Sequence, residues 1–222
     1  MTPNHLLLLC FALAAYAAGS IPFGLIVGLA KGIDPRKAGS GNIGATNVGR
    51  LLGVQFFALV FSLDFLKGML PALAAAWFVR SRFPQPDAWV YIYWLLVGFA
   101  AILGHMYSLF IGFQGGKGVA TSIGVIFGIF PYFTGAGLIV AAVWLLFFFA
   151  TRYVSVASIA AAAALPIAYA GLGLMQGWPI VGRQFPLLVF TLVVAFMIVY
   201  KHRGNIARLR AGTESRIAKK AT

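Results

Sequence analysis

Long apolar segments alternate with short polar, glycine-rich or basic segments along the whole chain. The apolar segments cover residues 6–30, 51–79, 88–103, 119–150, 154–174 and 186–200. A helix needs about 20 apolar residues, with a tolerance of a few, to cross the hydrocarbon core of a bilayer. Because each of these segments comes close to that length or exceeds it, the pattern predicts a bundle of membrane-spanning helices.

The segment 119–150 is too long to be one crossing. A single helix of its 32 residues would be about 48 Å long, against a hydrocarbon core of about 30 Å. We predict that Pro131, Gly135 and Gly137 divide it into two short crossings. The predicted fold is therefore an all-α integral membrane protein, a bundle of seven transmembrane helices that forms a single domain over residues 1–222.

The composition excludes an ordinary soluble domain. Hydrophobic residues make up 61% of the chain and charged residues 9%, whereas soluble domains carry about 25% charged residues. No Lys or Arg precedes the first apolar segment, which continues to Ala30, so we expect a retained first helix rather than a cleaved signal peptide. Cys10 is the only cysteine, which excludes an intramolecular disulfide and a cysteine-based metal site.

Positive charge is unevenly divided between the two predicted sides of the membrane. Thirteen of the 17 Lys and Arg residues lie on one side, and only Arg80, Arg82 and Arg183 lie on the other. The thirteen are Lys31, Arg36, Lys37, Arg50, Lys117, Arg152, Lys201, Arg203, Arg208, Arg210, Arg216, Lys219 and Lys220. Cytoplasmic segments are enriched in Lys and Arg, so the amino terminus is predicted outside and the carboxyl terminus, with a basic tail from about residue 201, in the cytoplasm. The formal charge of +13 is therefore interpreted as setting the orientation in the membrane and attracting anionic lipid, and not as a nucleic-acid-binding surface.

A first glycine-rich segment, residues 39–47, lies on the predicted cytoplasmic side. Glycines leave backbone N–H groups open to an anion, and neutral side chains add donors around it. The glycines are Gly39, Gly41 and Gly44, and the neutral side chains are Ser40, Asn42, Thr46 and Asn47. Arg50 follows at the predicted boundary of the second span, where a guanidinium can bind phosphate through two hydrogen bonds. The simpler alternatives are a flexible loop and, for Arg50, an ordinary membrane anchor.

A second glycine-rich segment combines Gly115, Gly116 and Gly118 with Lys117, and Thr121 follows at the start of a predicted helix. Open backbone N–H groups, a cation and a helix amino terminus all favour phosphate. The spacing is not that of a Walker A loop, and no strand precedes it, so ATP hydrolysis is not expected.

Two kinds of ionisable residue stand out in the apolar segments. Asp64 and Lys67 are one turn apart inside a predicted span, which favours a structural ion pair over a catalytic pair. His105 and His202 come at predicted cytoplasmic helix ends, where either could act as a general base or donate to phosphate. Neither histidine has the spacing of a metal site, and the chain has only four Asp and Glu residues, so no metal centre and no cofactor are predicted.

These residues together resemble the bacterial acyl-phosphate:glycerol-3-phosphate acyltransferases of the PlsY type. The matching segments are 19–24, 39–50, Asp64 with Lys67 and Gly68, 104–121, Arg152 and Tyr153 with Ser155 and Ser158, and His202 and Arg203 with Asn205, Ile206 and Glu214. The chain departs from the family pattern at Ser108, where proline is usual, and at Gln114, where lysine is common.

The resemblance implies a multi-pass protein of the bacterial plasma (inner) membrane with its active site facing the cytoplasm. It implies transfer of a fatty acyl group from acyl phosphate to glycerol 3-phosphate, with lysophosphatidic acid and phosphate as products. Acyl-CoA would not be used, no cofactor is implied, and a soluble acyl-phosphate synthase is an implied partner alongside membrane lipid.

The resemblance also assigns roles to residues. Those assigned to acyl phosphate are Ser40, Gly41, Asn42, Thr46, Asn47, Gly115 and Gly116. Those assigned to glycerol 3-phosphate are Arg50, Lys117, Ser155, His202, Asn205 and Glu214. A phosphate group of the substrate is expected to accept the proton, with His105 as the alternative base.

Two other functions remain open from the sequence. A membrane anion transporter or channel would use the glycine-rich segments as re-entrant loops, but no inverted repeat is visible. A lipid-binding scaffold would use the basic tail on anionic lipid and would leave both glycine-rich segments without a function.

Overall fold

The computed structural model describes residues 3–216, and the chain is helical without strands over that range. The helices are α1 (Pro3–Ser20), α2 (Phe23–Ala30), α3 (Ala45–Leu52), α4 (Val54–Arg82), α5 (Ala88–Met106), α6 (Val119–Gly128), α7 (Thr134–Thr151), α8 (Val154–Met175), α9 (Phe185–Lys201) and α10 (Arg203–Arg210), with a short 3₁₀ helix at Leu109–Ile111. The predicted cytoplasmic cations Lys219 and Lys220 lie outside the described residues.

Five helical segments within residues 3–216 are long and apolar enough to cross a membrane. They are Pro3–Ala30, Val54–Arg82, Ala88–Ile111, Thr134–Thr151 and Val154–Met175. The bent pair α9 and α10, with an angle of 52° between the two helices, adds a sixth. The chain is thus a multi-pass membrane protein. The ten-residue α6 is shorter than a usual span, so the seventh crossing and the orientation of the termini stay predictions.

The long apolar segment 119–150 is divided, as predicted, but only one of the three named residues lies at the division. The first half ends at Gly128 and the second begins at Thr134, with Pro131 between them. Gly135 and Gly137 lie inside α7, so the prediction was wrong for these two glycines. Proline lacks the N–H that a helix interior needs, whereas a glycine costs a helix only about 1 kcal/mol.

The first apolar segment is not one continuous helix. Its two parts, α1 and α2, are separated by Ile21 and Pro22, although together they are long enough for one span. The proline removes a backbone donor, and the carbonyl groups before it need partners from elsewhere in the protein.

The segment 31–50, which joins the first two apolar segments on the predicted cytoplasmic side, contains the short helix α3. Arg50 therefore belongs to α3 and not to the boundary of the second span, which starts at Val54. The sequence did not predict this helix, because the segment is mostly polar and α3 buries only a narrow apolar face. Ala45 and Val48 of that face are buried with Val60 of α4.

The described chain divides into two compact units, one up to Pro131 and one from Tyr132 onward. The single domain stays a prediction. In the first unit, small residues bring helices into close contact: a Cβ at Gly68 would overlap the Thr121 carbonyl group, and one at Gly104 would overlap the Tyr16 carbonyl oxygen. Close approach through glycine is a common way of packing membrane helices, and here it brings α6 against α4 and α1 against α5.

The second unit packs α7, α8 and α9 around aromatic side chains. The Phe133 ring meets the Tyr169 ring edge-on at 5.2 Å and stacks on the Phe190 ring at 5.8 Å. The Tyr169 hydroxyl donates to the Gln184 side chain at 3.3 Å, so the buried phenol has a partner.

Candidate active site

The first glycine-rich loop is held by the side chain of Asn47. Its Nδ2 group donates to the carbonyl oxygens of Pro35 and Ala38, both at 3.0 Å, and its Oδ1 atom accepts the Ser40 N–H at 2.8 Å. Asn47 is 2% exposed, so these hydrogen bonds form away from water. Both N–H bonds of the amide are in use, and this side chain fixes the loop rather than offering a donor to a ligand.

Local backbone geometry and close contacts explain why glycines occur in this loop. Gly39 and Gly41 have φ angles of 60° and 70°, which other residues rarely adopt. A Cβ at Gly39 would also overlap the Asn47 Oδ1 atom. The Gly44 N–H donates to Asn42 Oδ1 at 2.8 Å before α3 begins. The exposed part of the loop thus carries Ser40, while Asn42 takes part in the turn.

An acidic side chain close to this loop is neutralised by its neighbour. Arg36 binds Asp34 through two guanidinium nitrogens, the shorter contact being 2.7 Å. Hydrogen bonds from the Arg36 side chain and backbone lower the pKa of Asp34 to about 2. Asp34 therefore remains ionised and paired, which reduces its repulsion of an anion bound nearby.

The second glycine-rich loop is held by backbone carbonyl groups at the end of α5. The Gly115 N–H donates to the Met106 oxygen at 3.2 Å, and the Gly116 N–H donates to the His105 oxygen at 3.0 Å. A Cβ at Gly116 would overlap the His105 ring at Nε2. Gly118, with a φ angle of 81°, immediately precedes α6.

This arrangement changes the interpretation of Gly115 and Gly116. Their N–H groups were expected to be open to an anion, but both donate to α5 instead. The two glycines allow the loop to lie directly on His105, and they place the half-buried Lys117 just before the first turn of α6. A cation beside a helix amino terminus remains suited to phosphate. Gln114, one of the two departures from the family pattern, is exposed.

The predicted ion pair between Asp64 and Lys67 is confirmed, with Nζ at 2.8 Å from Oδ1. Both side chains are buried, and the Lys67 Nζ also donates to the Ile21 carbonyl oxygen at 2.7 Å. The His105 Nδ1 atom lies 3.5 Å from the same Asp64 oxygen. The histidine is 5% exposed, so it lies inside the bundle rather than at the open interface that the sequence suggested.

The tail is joined to the start of α8 by a cluster around Glu214. One carboxylate oxygen accepts from the Ser155 hydroxyl at 2.8 Å and from Asn205 Nδ2 at 2.5 Å, and the other accepts from Arg208 Nε at 2.8 Å. The sequence grouped Ser155, Asn205 and Glu214 but missed Arg208. The available signal was helical spacing, since Arg208 is three residues after Asn205 in α10.

Burial of Glu214 disfavours its charge, but hydrogen bonds from Asn205, Ser155 and Arg208 outweigh that effect. They hold the pKa of the carboxyl group below its ordinary value of 4.5. His202 is also buried, with Nδ1 2.7 Å from the Ile198 carbonyl oxygen. A charged and hydrogen-bonded cluster of this kind is stable at neutral pH.

The residues predicted to bind glycerol 3-phosphate belong to both units. Arg50 and Lys117 lie in the first unit, the former exposed and the latter half-buried. Ser155 and Asn205 both contact Glu214 in the second unit, where His202 also lies. Among residues 3–216, no group of three His, Cys, Asp or Glu side chains is arranged to hold a metal ion.

Comparison with known proteins identifies the family. The family model for glycerol-3-phosphate acyltransferase matches residues 9–212. The chain belongs to this family. Among its relatives, the glycerol-3-phosphate acyltransferase of Aquifex aeolicus is 46% identical, over 91% of this chain and 95% of that protein. The glycerol-3-phosphate acyltransferase of Geobacter sulfurreducens is 45% identical, over 91% of this chain and 93% of that protein.

Two crystal structures of PlsY (YgiH), an integral membrane glycerol 3-phosphate acyltransferase, share the fold. The glycerol 3-phosphate form superimposes with a TM-score of 0.80 at 43% identity and covers 95% of this chain and 96% of that one. The lysophosphatidic acid form gives a TM-score of 0.77 at the same identity, with 95% of each chain covered. This likeness supports the family membership over nearly the whole chain.

Proposed function

We propose that the protein transfers a fatty acyl group from acyl phosphate to glycerol 3-phosphate and releases lysophosphatidic acid and phosphate. The observation that carries this proposal is the near full-length similarity to glycerol-3-phosphate acyltransferases, including the form of PlsY with glycerol 3-phosphate. The two glycine-rich loops fit a reaction in which both substrates carry phosphate.

The reaction needs little covalent chemistry from the protein. A hydroxyl oxygen of glycerol 3-phosphate attacks the acyl carbon, an ester C–O bond forms, and the bond from the acyl carbon to the phosphate oxygen breaks. Acyl phosphate is a mixed anhydride, so phosphate leaves readily. Positioning of the two substrates and neutralisation of their charge can therefore supply most of the rate enhancement.

For acyl phosphate, we assign the first glycine-rich loop and the loop that carries Lys117. The exposed hydroxyl of Ser40 and the half-buried hydroxyl of Thr46 are the side-chain donors of the first loop. The remaining residues assigned to acyl phosphate shape the two loops: Gly41, Asn42, Asn47, Gly115 and Gly116. This division follows from the hydrogen bonds that already occupy Asn47 and the two glycines of the second loop.

For glycerol 3-phosphate, the assigned residues are Arg50, Lys117, Ser155, His202, Asn205 and Glu214. The cations suit the phosphate, and the Ser155, Asn205 and Glu214 cluster offers the hydrogen-bonding groups that suit a hydroxyl. Glu214 also orders Ser155 and Asn205, because one of its oxygens accepts from both.

The phosphate of the acyl donor is the proposed proton acceptor. The hydroxyl proton moves to the phosphate as the acyl–phosphate bond breaks, so no protein base is required. The role of His105 as a base stays a prediction; its ring nitrogens lie near Asp64 and the Gly116 backbone, which fits a positioning role better.

The proposed location is the bacterial inner membrane, with seven crossings, the amino terminus outside and the active site facing the cytoplasm. Here α6 provides the short extra crossing, and the excess of Lys and Arg sets the orientation. A soluble acyl-phosphate synthase is the proposed source of the donor, and no cofactor is required.

A direct assay tests the proposed function. Purified protein in lipid or detergent should convert acyl phosphate and glycerol 3-phosphate to lysophosphatidic acid in the presence of EDTA and without ATP or coenzyme A. Activity with acyl-CoA alone would contradict the donor assignment. Anion uptake by vesicles without any product would favour the transporter instead.

A further inference from the structure

A series of buried polar contacts joins the break in the first span to the second glycine-rich loop. The Ile21 carbonyl oxygen at the break accepts from Lys67 Nζ at 2.7 Å. Lys67 lies 2.8 Å from Asp64 Oδ1, and that oxygen lies 3.5 Å from His105 Nδ1. These contacts connect the first span with α4 and α5 inside one compact unit.

The last member of the series, His105, touches the loop in two ways. Its carbonyl oxygen accepts the Gly116 N–H at 3.0 Å, and its ring occupies the space that a side chain at position 116 would need. Movement of the His105 ring would therefore move Gly116, and with it the adjacent Lys117. The polar series ends on the segment that carries a proposed phosphate ligand.

A second buried contact joins the same two regions independently. The Ser108 hydroxyl donates to the Ser20 carbonyl oxygen at 2.5 Å, and Ser108 is 1% exposed. Ser20 is the last residue of α1, next to Ile21, and Ser108 comes three residues after His105. A proline at position 108 has no hydroxyl and could not form this hydrogen bond, which therefore depends on the serine in this chain.

Stability alone does not account for the buried pair of Asp64 and Lys67. Replacing both members of a buried ion pair with apolar residues is often neutral or stabilising, because the pair must give up its hydration. The pair has, in addition, a specific geometry: Lys67 contacts a helix break, and Asp64 contacts a histidine under a functional loop. That geometry gives the pair a role which apolar residues would not supply.

We propose that Asp64 and Lys67 are positioning residues that hold the His105 ring, and thereby the second glycine-rich loop with Lys117, in a fixed place relative to the first span. Their proposed effect is exerted through His105 and not by contact with a substrate. Only the expected loss of acyl transfer rests on the proposed function, because the position of the loop can be measured without any substrate.

The test uses the full-length protein with Asp64→Leu and Lys67→Met together, which removes both charges at similar volume. We expect a melting temperature close to that of the wild type. The amides of Gly115 and Gly116 should exchange with deuterium about tenfold faster or more, because their acceptors on α5 are less well held. The kcat for acyl transfer should fall by about tenfold or more.

The matched control is Val97→Ala, which creates a cavity in the same helix as His105 but leaves the polar series intact. It should lower the melting temperature without changing loop exchange. Wild-type loop exchange in the stable double variant would overturn the proposal. If the double variant does not fold, Asp64→Asn is measured in the same way: faster exchange of Gly115 and Gly116 supports the proposal, and unchanged exchange refutes it.

If the wild type shows no acyl transfer, but the amides of Gly115 and Gly116 still exchange faster in the double variant than in the wild type, only the proposed function is contradicted. Unchanged exchange in a fully active double variant would contradict the positioning role alone. The two proposals are thus tested separately by one set of variants.

Discussion

The two glycine-rich loops have similar compositions but are held by different kinds of contact. A side chain, Asn47, holds the first loop through three backbone hydrogen bonds, one to Ser40 in the loop and two to Pro35 and Ala38 just before it. Backbone carbonyl groups at the end of α5 hold the second loop, and the His105 ring lies beneath it. The position of the first loop should therefore depend on the side-chain amide of Asn47, and the position of the second should change when a methyl group is added at Gly116.

The largest expected effect concerns the cation of the second loop. Lys117→Ala should lower kcat/KM by about 10²–10³-fold, since removal of a charged contact from a partly buried site costs about 3–4 kcal/mol of transition-state stabilisation. Acyl transfer by the purified variant measures the effect. Lys37→Ala, an exposed cation before the first loop, is the control and should remain active. Equal activity of the two variants would make Lys117 an ordinary membrane anchor.

The methyl-group test is Gly116→Ala. The added Cβ must displace either the His105 ring or the loop, and a displacement of about 1 Å can cost about 10²-fold in rate. Steady-state kinetics should show the loss in kcat. The control is Gly171→Ala, where nothing lies within 4 Å of the added atom, and its activity should match the wild type. A fully active Gly116→Ala protein would show that the loop is not held tightly.

The amide test compares Asn47→Ala with Asn47→Asp. Alanine leaves the Pro35 and Ala38 carbonyl groups and the Ser40 N–H without this partner, at about 1–3 kcal/mol for each group that stays buried and unsatisfied. We expect a lower melting temperature and a raised KM for acyl phosphate. Aspartate keeps the acceptor for Ser40 but turns a buried carboxylate oxygen toward the Pro35 and Ala38 carbonyl oxygens, so its effect should be at least as large as that of alanine. A wild-type KM in both variants would place the donor away from this loop.

The smallest expected effect is a pH dependence in the tail. Because the folded-state pKa of Glu214 is lowered, its stabilising contribution is complete above the ordinary value of 4.5 and is lost as the pH falls through the folded-state pKa. The difference in melting temperature between the wild type and Glu214→Gln should be constant from pH 7 to about pH 5 and should shrink below pH 4.5. A difference that grows on acidification would contradict the charged state of Glu214.

The long helices were predictable because their apolar length exceeds what a soluble protein needs. The segments that became α4, α5 and α8 are of this kind. The helix α3 was missed because it lies in a polar, glycine-rich segment and is stabilised by packing on α4. The break before Pro22 was also missed, since the apolar run continues through it and hydropathy carries no information on backbone hydrogen bonds.

The candidate site was predictable where local spacing or family resemblance carried it. The Asp64 and Lys67 pair follows from helical spacing. The approach of His105 to that pair could not be predicted, because it depends on how α4 and α5 pack. The same limit applies to Gly115 and Gly116. The sequence indicates that small residues are needed, and the fold gives the reason: a Cβ would overlap the backbone at the end of α5 at Gly115 and the His105 ring at Gly116.

The contact between Glu214 and Ser155 has a consequence for how the protein is made. The two residues are 59 positions apart, and Glu214 lies beyond the last long helix. A ribosome must therefore synthesise and release the chain through Glu214 before this contact can form, although the earlier helices can enter the membrane during synthesis. A nascent or prematurely terminated chain that stops before Glu214 would have its earlier helices in the membrane but would lack this contact to α8.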